Sequence, residues 1–217
     1  MTMSVVEEAA AAARRGALIV LPTDTVYGLG TRPDDPAATA RVFAAKERAA
    51  GLALPILVAS SQEARDLAVF DERAEALVDA WWPGALTLVL PRTRTSAGWE
   101  LGGDGGTIGV RMPAHPLALA VLRATGPLAV TSANRSGDPP ARTCDELVAV
   151  FGEVVAVYLC EDRPLVGVAS TVVDLAHGEA RVVRGGDLAP HELTRSMAPD
   201  GPLLDSGPPG EDTLDET

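Results

Sequence analysis

The chain has 217 residues, 47% of them hydrophobic and only 4% aromatic, so it can bury one sizeable core made of Ala, Val and Leu rather than rings. Its formal net charge of −12 argues against a general nucleic-acid coat or an anionic membrane surface as partner. Six acids and no base fall within residues 198–217; without them the body carries about −6, which leaves room for a local basic cleft.

Residues 4–15 read as a helix. Ser4 can cap it, Glu7 and Glu8 sit near its start, Arg14 and Arg15 near its end, and Gly16 stops it. Residues 17–21 form a short continuous apolar run, the pattern of a strand covered on both faces. Pro22 closes that run and residues 22–30 read as a loop. Asp35-Pro36 opens a second helix reaching Lys46, with proline at its first position. Further strands are expected at 54–59, 86–90, 107–112, 128–131, 154–159, 171–175 and 180–184. Further helices are expected at 61–69, 72–81, 116–125, 144–151 and 190–197. The mixture gives an α/β class. The last two strands are joined by a four-residue turn as a hairpin, so the sheet is mixed rather than all parallel. Residues 92–106, rich in Gly, Thr and Ser, read as a mobile flap. Residues 1–197 are expected to form one domain and 198–217 a disordered, acidic, Pro- and Gly-rich tail.

Several segments could carry chemistry. Pro22-Thr23-Asp24-Thr25-Val26-Tyr27-Gly28-Leu29-Gly30 leaves the carboxyl end of the first strand, the usual place for ligands in an open α/β sheet, although an ordinary polar turn accounts for it equally well. Lys46 is the chain's single lysine beside 17 arginines. Its compact, rotatable charge suits a phosphate and the planar fork of Arg48 complements it; a solvated cation at a helix end is the plain alternative. Trp81 and Trp82 read as helix-end packing. The 107–112 strand puts Thr107, Gly109 and Arg111 on one face, and an arginine there needs either a ligand anion or a structural acid. Val130, Thr131, Ser132 and Asn134 carry another strand into a small polar turn that would let a base or phosphate approach closely, or would simply lead to a helix capped by Thr143. Ser170 enters the hairpin, and Arg184 leaves it beside Gly185 and Gly186.

Other chemistries lack their signatures. There is no GxxxxGK[ST] loop and no GxGxxG after a strand. His115, His177 and His191 have neither zinc nor triad spacing. Cys144 and Cys160, without metal spacing, read as core thiols in a reducing cytosol. The N-terminal stretch is Ala- and Glu-rich rather than basic then apolar, so a cytoplasmic location is expected.

In chain order, PTDTVYGLG, KER, LPILVA, WPGALTLVL, TIGVRMPAHP, TSANRSGDPP, STVVDL and VVRGG closely resemble the YrdC family of threonylcarbamoyl-AMP synthases over roughly residues 5–196. The resemblance implies an open, twisted mixed sheet with flanking helices and a large concave cavity. It implies condensation of L-threonine, bicarbonate and ATP into threonylcarbamoyl-AMP and pyrophosphate, for later use by downstream proteins that modify a tRNA adenosine. Carried over by position, Thr25, Arg111, Ser170 and the backbone near Val130 would hold threonine. Arg48, Thr107, Ser132, Asn134, Arg184 and the backbone near Pro140 would hold ATP. Lys46 would face phosphate and, with Arg48, carry catalysis, while Mg²⁺ would be held mainly by ATP phosphates. A weak tRNA contact is compatible with this reading and a membrane partner is not.

The chain departs from the family pattern in four places. The segment between Arg48 and Pro55 is slightly long, Ala59 stands where many members have His, Gly185 replaces a proline, and the extra domain of longer members has no counterpart. Two rival readings are an RNA-binding module of the same fold and a relative using carbamoyl phosphate. The scarcity of lysine and the lack of aromatic platforms disfavour the first. The lack of zinc-finger-like cysteines disfavours the second.

Overall fold

The computed structural model describes residues 4–47, 51–165 and 167–197, and the backbone of Asp205–Ser206. Seven helices flank one open ten-stranded sheet among the described residues. The helices are α1 (Val5–Arg14), α2 (Pro36–Lys46), α3 (Ser61–Leu67), α4 (Glu72–Trp81), α5 (Pro116–Thr125), α6 (Cys144–Phe151) and α7 (Pro190–Met197). The strands are β1 (Leu18–Leu21), β2 (Gly28–Thr31), β3 (Ile56–Leu57), β4 (Leu86–Pro91), β5 (Thr107–Arg111), β6 (Leu128–Ser132), β7 (Val155–Tyr158), β8 (Thr171–Asp174), β9 (Arg181–Arg184) and β10 (Asp205–Ser206). Their order across the sheet is β10-β9-β8-β4-β5-β3-β6-β2-β1-β7, with parallel and antiparallel pairs mixed.

The helix boundaries follow from their caps. Ser4 and Glu7 form a reciprocal capping box at α1. Asp35 accepts from Ala37 and Ala38 at the start of α2, and Glu47, in the left-handed region at φ 53°, ends it. Asp71 caps α4 and Thr143 caps α6.

Period-two alternation divides the strands between two faces. On one face Leu18, Val20, Ile56, Leu86, Leu88, Leu90, Ile108 and Val110 pack into the main core with Val42 of α2, Leu77 of α4, Leu147 of α6 and Leu193 of α7. On the other face Ile19, Leu21, Leu57, Leu128 and Val130 form a second cluster with Ala9 and Ala13 of α1 and Val121 and Leu122 of α5. That second layer covers the β6-β2-β1-β7 side. Over β3, β5, β4 and β8 the same face carries Thr87, Val89, Thr107, Gly109, Arg111 and Val172, which line a cavity instead. A helix layer covering half a face thus creates the concavity.

Three expectations need correction. Gly28–Thr31 is a strand, not loop: β2 pairs antiparallel with both β1 and β6. Its glycines hid it. A Cβ on Gly28 or Gly30 would lie 2.5 or 2.8 Å from the methyls of Val130, so strand composition is traded for close approach. Cys144 and Cys160 are not free thiols. They form a disulfide with Cα atoms 5.7 Å apart, because β7 ends beside the start of α6. The thiols therefore carry no argument about compartment. The 92–106 segment is not a free flap either. Arg92 donates to the carbonyls of Ser96, Trp99 and Thr107, fully buried Ser96 donates to Leu67 O, and Leu54 N–H donates to Leu101 O at 2.7 Å. Within residues 198–217 the backbone of Asp205–Ser206 runs parallel to Arg181–Val182 as an outermost strand; the rest of the expected tail lies outside the described residues. Trp81 and Trp82 do pack at the end of α4, their indoles donating to Ser196 Oγ and Leu86 O. No described helix is long and apolar enough to cross a membrane.

Candidate active site

The cavity, of about 280 Å³, gathers residues from the β1–β2 loop, β3, β4, β5, β6, β8, β9 and the loops following β6 and preceding β8. At one end the β1–β2 loop folds around Thr23. Its hydroxyl donates to Val26 O at 2.6 Å and accepts from Thr25 N and Val26 N, both at 3.2 Å. Thr25 Oγ1 lies 2.9 Å from Thr23 Oγ1. Gly167 crosses this turn so closely that any Cβ on it would overlap the Thr25 carbonyl, which fixes glycine there.

Arg111, 6% exposed, ends β5 beneath that loop. Its Nε donates to Gly84 O at 2.9 Å, Nη1 to Thr25 Oγ1 at 2.8 Å and Nη2 to Asp24 Oδ1 at 2.7 Å. The other commitment of Asp24 is to Ala114 N–H at 3.0 Å. Three of five guanidinium donors are thus spent, leaving two for a ligand carboxylate. Burial pulls the Arg111 pKa down; Asp24 opposes this and nearby Arg184 adds to it. The sequence left open whether Arg111 needs a structural acid or a ligand, and the geometry provides the first while keeping capacity for the second.

A second polar group stands opposite. Arg184 donates through Nε and Nη2 to Ser170 O at 3.2 and 2.9 Å, and through Nη2 to Ser170 Oγ at 3.0 Å. Ser170 Oγ lies 2.8 Å from Thr87 Oγ1. Burial lowers the Arg184 pKa as well. Among the described residues, two guanidinium groups and no Asp or Glu line the cavity, with the Asp24 carboxylate paired to Arg111 behind its wall and offsetting one of the two charges.

Of the residues expected from sequence to hold threonine, Thr25, Arg111, Val130 and Ser170 all line this one cavity. Of those expected to hold ATP, Thr107, Ser132, Pro140 and Arg184 line it too. Asn134 and Lys46 do not appear in its wall. Lys46, 1% exposed, donates to Ser132 O and Asn134 O, both at 2.6 Å, and to Asn134 Oδ1 at 3.1 Å. Asn134 Nδ2 donates in turn to Arg135 O and Asp138 O. The two residues stand behind the wall and tie its β6 turn together. Arg48 lies outside the described residues. His115 occupies the position before α5 without a side-chain cap, its Nε2 3.3 Å from Glu161.

Sequence reasoning passed over three residues here: Thr23, Asp24 and Thr87. Thr87 had a readable signal. It is the one polar residue in an otherwise apolar run, LTLVL, and its alternate position opposes the buried leucines. Asp24 and Thr23 were inside a motif already noted, but their partners lie 87 residues away or in turn geometry that no spacing encodes.

The Sua5/YciO/YrdC family model, described as "Telomere recombination", matches residues 11–186. This chain belongs to that family. A Chromohalobacter salexigens member named threonylcarbamoyl-AMP synthase is 40% identical over 179 residues, covering 80% of this chain and 94% of its own. A Mycobacterium tuberculosis member is 38% identical over 197 residues, covering 90% of each chain. The crystal structure of Pyrococcus abyssi Sua5 complexed with L-threonine superposes with a TM-score of 0.84 at 32% identity, covering 96% of this chain and 61% of that longer one. The α/β fold read from the family resemblance is therefore the fold observed.

Proposed function

We propose that the chain is an L-threonylcarbamoyladenylate synthase, a nucleotidyltransferase that joins L-threonine, bicarbonate and ATP into threonylcarbamoyl-AMP and pyrophosphate for threonylcarbamoyl modification of tRNA adenosine. One observation carries the reading. Eight residues expected to hold an amino acid or a nucleotide, drawn from distant stretches of chain, line a single cavity. Family members bearing that enzyme's name support it, as does the L-threonine in the P. abyssi structure.

In this reading the two outward N–H groups of Arg111 take the threonine carboxylate, and Thr25 and Ser170 hold its remaining polar groups. The threonine nitrogen attacks CO₂ released from bicarbonate and loses a proton to give a carbamate. A carbamate oxygen then bonds to the α-phosphorus as the bond to the pyrophosphate oxygen breaks; water from bicarbonate is the other product. No side chain enters a covalent bond. The chain holds the reactants close and in line, and Arg184, joined by Arg48, offsets phosphate charge. Lys46 acts through Ser132 and Asn134, by fixing the turn against which the nucleotide lies.

Mg²⁺ is tested by the donor set. Among the described residues the cavity wall presents hydroxyls, backbone and guanidinium groups without a carboxylate, and no described cluster of His, Cys, Asp and Glu could hold a metal. The wall does not fit a protein-held Mg²⁺, so no step is routed through one. An ion held by ATP phosphates and water is compatible with such a wall.

The test is pyrophosphate release from purified protein. Release should require all three of threonine, bicarbonate and ATP, with threonylcarbamoyl-AMP appearing in the mass spectrum. Release independent of threonine would contradict this reaction, and tight tRNA binding at physiological salt without turnover would favour the RNA-binding reading instead.

A further inference from the structure

Two loops of the cavity wall hang from one residue. Tyr27, fully buried in that wall, accepts Ala133 N–H on its carbonyl at 2.8 Å and Glu161 N–H on its hydroxyl at 3.0 Å. From Ala133 the chain runs past Pro140 of the wall to Cys144, the first residue of α6. From Glu161, next to Cys160, it runs to Ala169 and Ser170 of the wall. The Cys144–Cys160 disulfide thus joins the end of the first loop to the start of the second. Beside it Leu165 N–H donates to Arg142 O at 2.9 Å, and Arg142 Nε donates to Leu165 O at 3.3 Å. The elements on either side are anchored without the bridge. Leu147 and Phe151 of α6 and Val155 of β7 pack into the main core, Val157 and Leu159 pack into the second cluster, and Thr143 caps α6. The constraint of the disulfide therefore falls on the loops. Both cysteines are partly exposed, so a thiol can reach the sulfurs.

We propose that Cys144–Cys160 is a redox modification site: reduction by a dithiol frees the two loops from each other and weakens nucleotide binding, and reoxidation restores it. In the reductive step a thiolate of the reductant bonds to one bridge sulfur as the S–S bond breaks, and the other cysteine leaves as a thiolate and takes up a proton. The second thiol of the reductant then displaces the first cysteine, which is protonated in turn. The chain gains two electrons and two protons, and the dithiol becomes a disulfide. A small disulfide drives the reverse exchange. The loop ending at Cys144 follows Ser132 and carries Pro140, both expected to meet ATP, so the nucleotide side responds. Untied loops must be ordered on binding, an entropic cost that the bridge removes beforehand. The inference rests in part on the synthase reading, because a chain that consumes ATP works among thiol reductants, where disulfides are characteristically redox-responsive.

The test sets the oxidised parent against the same protein reduced with dithiothreitol and then reoxidised with glutathione disulfide, each state verified by thiol titration. KM and kcat come from pyrophosphate release, and the Kd of a non-hydrolysable ATP analogue from calorimetry. Reduction should raise the KM for ATP and the analogue Kd about 3–10-fold, on the scale of ordering one or two side chains, with kcat within about twofold. Reoxidation should restore both constants. Hydrogen exchange should quicken in residues 133–143 and at Glu161 and Leu165, and stay as it was in β1 and β4. The Cys144→Ala, Cys160→Ala double variant should match the reduced parent and ignore dithiothreitol.

A reduced protein that unfolds at lower denaturant but keeps KM and Kd within twofold of the oxidised values has a structural staple there and nothing more, and that pattern overturns the proposal. So do two thiols that fail to join under glutathione disulfide, a bridge that yields to dithiothreitol only in denaturant, or a double variant that still responds to the reductant. Should the double variant fail to fold, the reversible shift in the parent decides. No pyrophosphate release in either state defeats the synthase reading itself and leaves the analogue Kd to judge this inference, which an equal Kd or no binding in both states overturns. Release with equal constants in both states defeats only this inference.

Discussion

Lys46 shows how a single side chain can organise the wall of a cavity. Its ammonium donates to Ser132 O, Asn134 O and Asn134 Oδ1 from a 1% exposed position. Lys46→Met would strip donors from buried oxygens, at a cost of about 1–3 kcal/mol for each acceptor left unpaired. The melting temperature should fall and the KM for ATP should rise more than that for threonine, as seen by calorimetry and initial rates. Lys46→Arg should not restore either, because a planar fork cannot replace a rotatable ammonium in that pocket. Asp24→Asn addresses the other end of the cavity. It removes the anion facing a nearly buried Arg111, the kind of loss that costs about 3–5 kcal/mol when a buried pair is broken. Asp24 itself is partly exposed, which lowers the expectation toward the bottom of that range. Denaturant melts and a raised threonine KM are the readouts.

Elements carry the next set of consequences. β2 is narrow because Gly28 and Gly30 pack against Val130. Gly30→Val should therefore displace β6 and lower the melting temperature strongly, as measured by thermal unfolding. The disulfide joins the start of α6 to the end of β7 across a separation of 16 residues. Chain entropy for a loop near that length gives about 3 kcal/mol, so a Cys144→Ala, Cys160→Ala double variant should unfold at lower denaturant than the oxidised parent. The β8–β9 hairpin carries a pH-dependent clip. Hydrogen bonding to Asp174 raises the His177 pKa above 6.5, with charge attraction from Asp174 adding to it. Because the folded value is raised, this stabilisation is complete below the unfolded pKa near 6.5 and is lost as pH rises through the folded one. The stability difference between parent and His177→Gln should thus be present at pH 5 and vanish at pH 9, followed by urea melts across that range.

At the scale of the whole molecule, much was legible because it is written in short-range patterns. The caps at Ser4, Asp35 and Thr143, and the alternation in 107–112, are local statements, and the corresponding elements appear where expected. The order of motifs located most of the cavity wall. What was not legible depends on distant neighbours. β2 reads as loop because its glycines answer to Val130, across the sheet. The disulfide depends on where β7 ends. The 92–106 loop is anchored by Arg92, by Ser96 and by the Leu54–Leu101 backbone bond, none of which composition can reveal. Lys46 stands out by its rarity, but its bonds to the Ser132 and Asn134 carbonyls, far along the chain, are not written in any local pattern. The fold explains the cavity as well. α1 and α5 cover one half of a sheet face and leave the other half concave, lined by hydroxyls and two guanidinium groups.

The most direct measurement is a crystal structure of the protein soaked with L-threonine and a non-hydrolysable ATP analogue. The account predicts both ligands in the one cavity, with the threonine carboxylate within hydrogen-bonding distance of Arg111 and the phosphates near Arg184. A nucleotide bound away from Thr107, Ser132 and Arg184, or threonine bound away from Arg111, would contradict it.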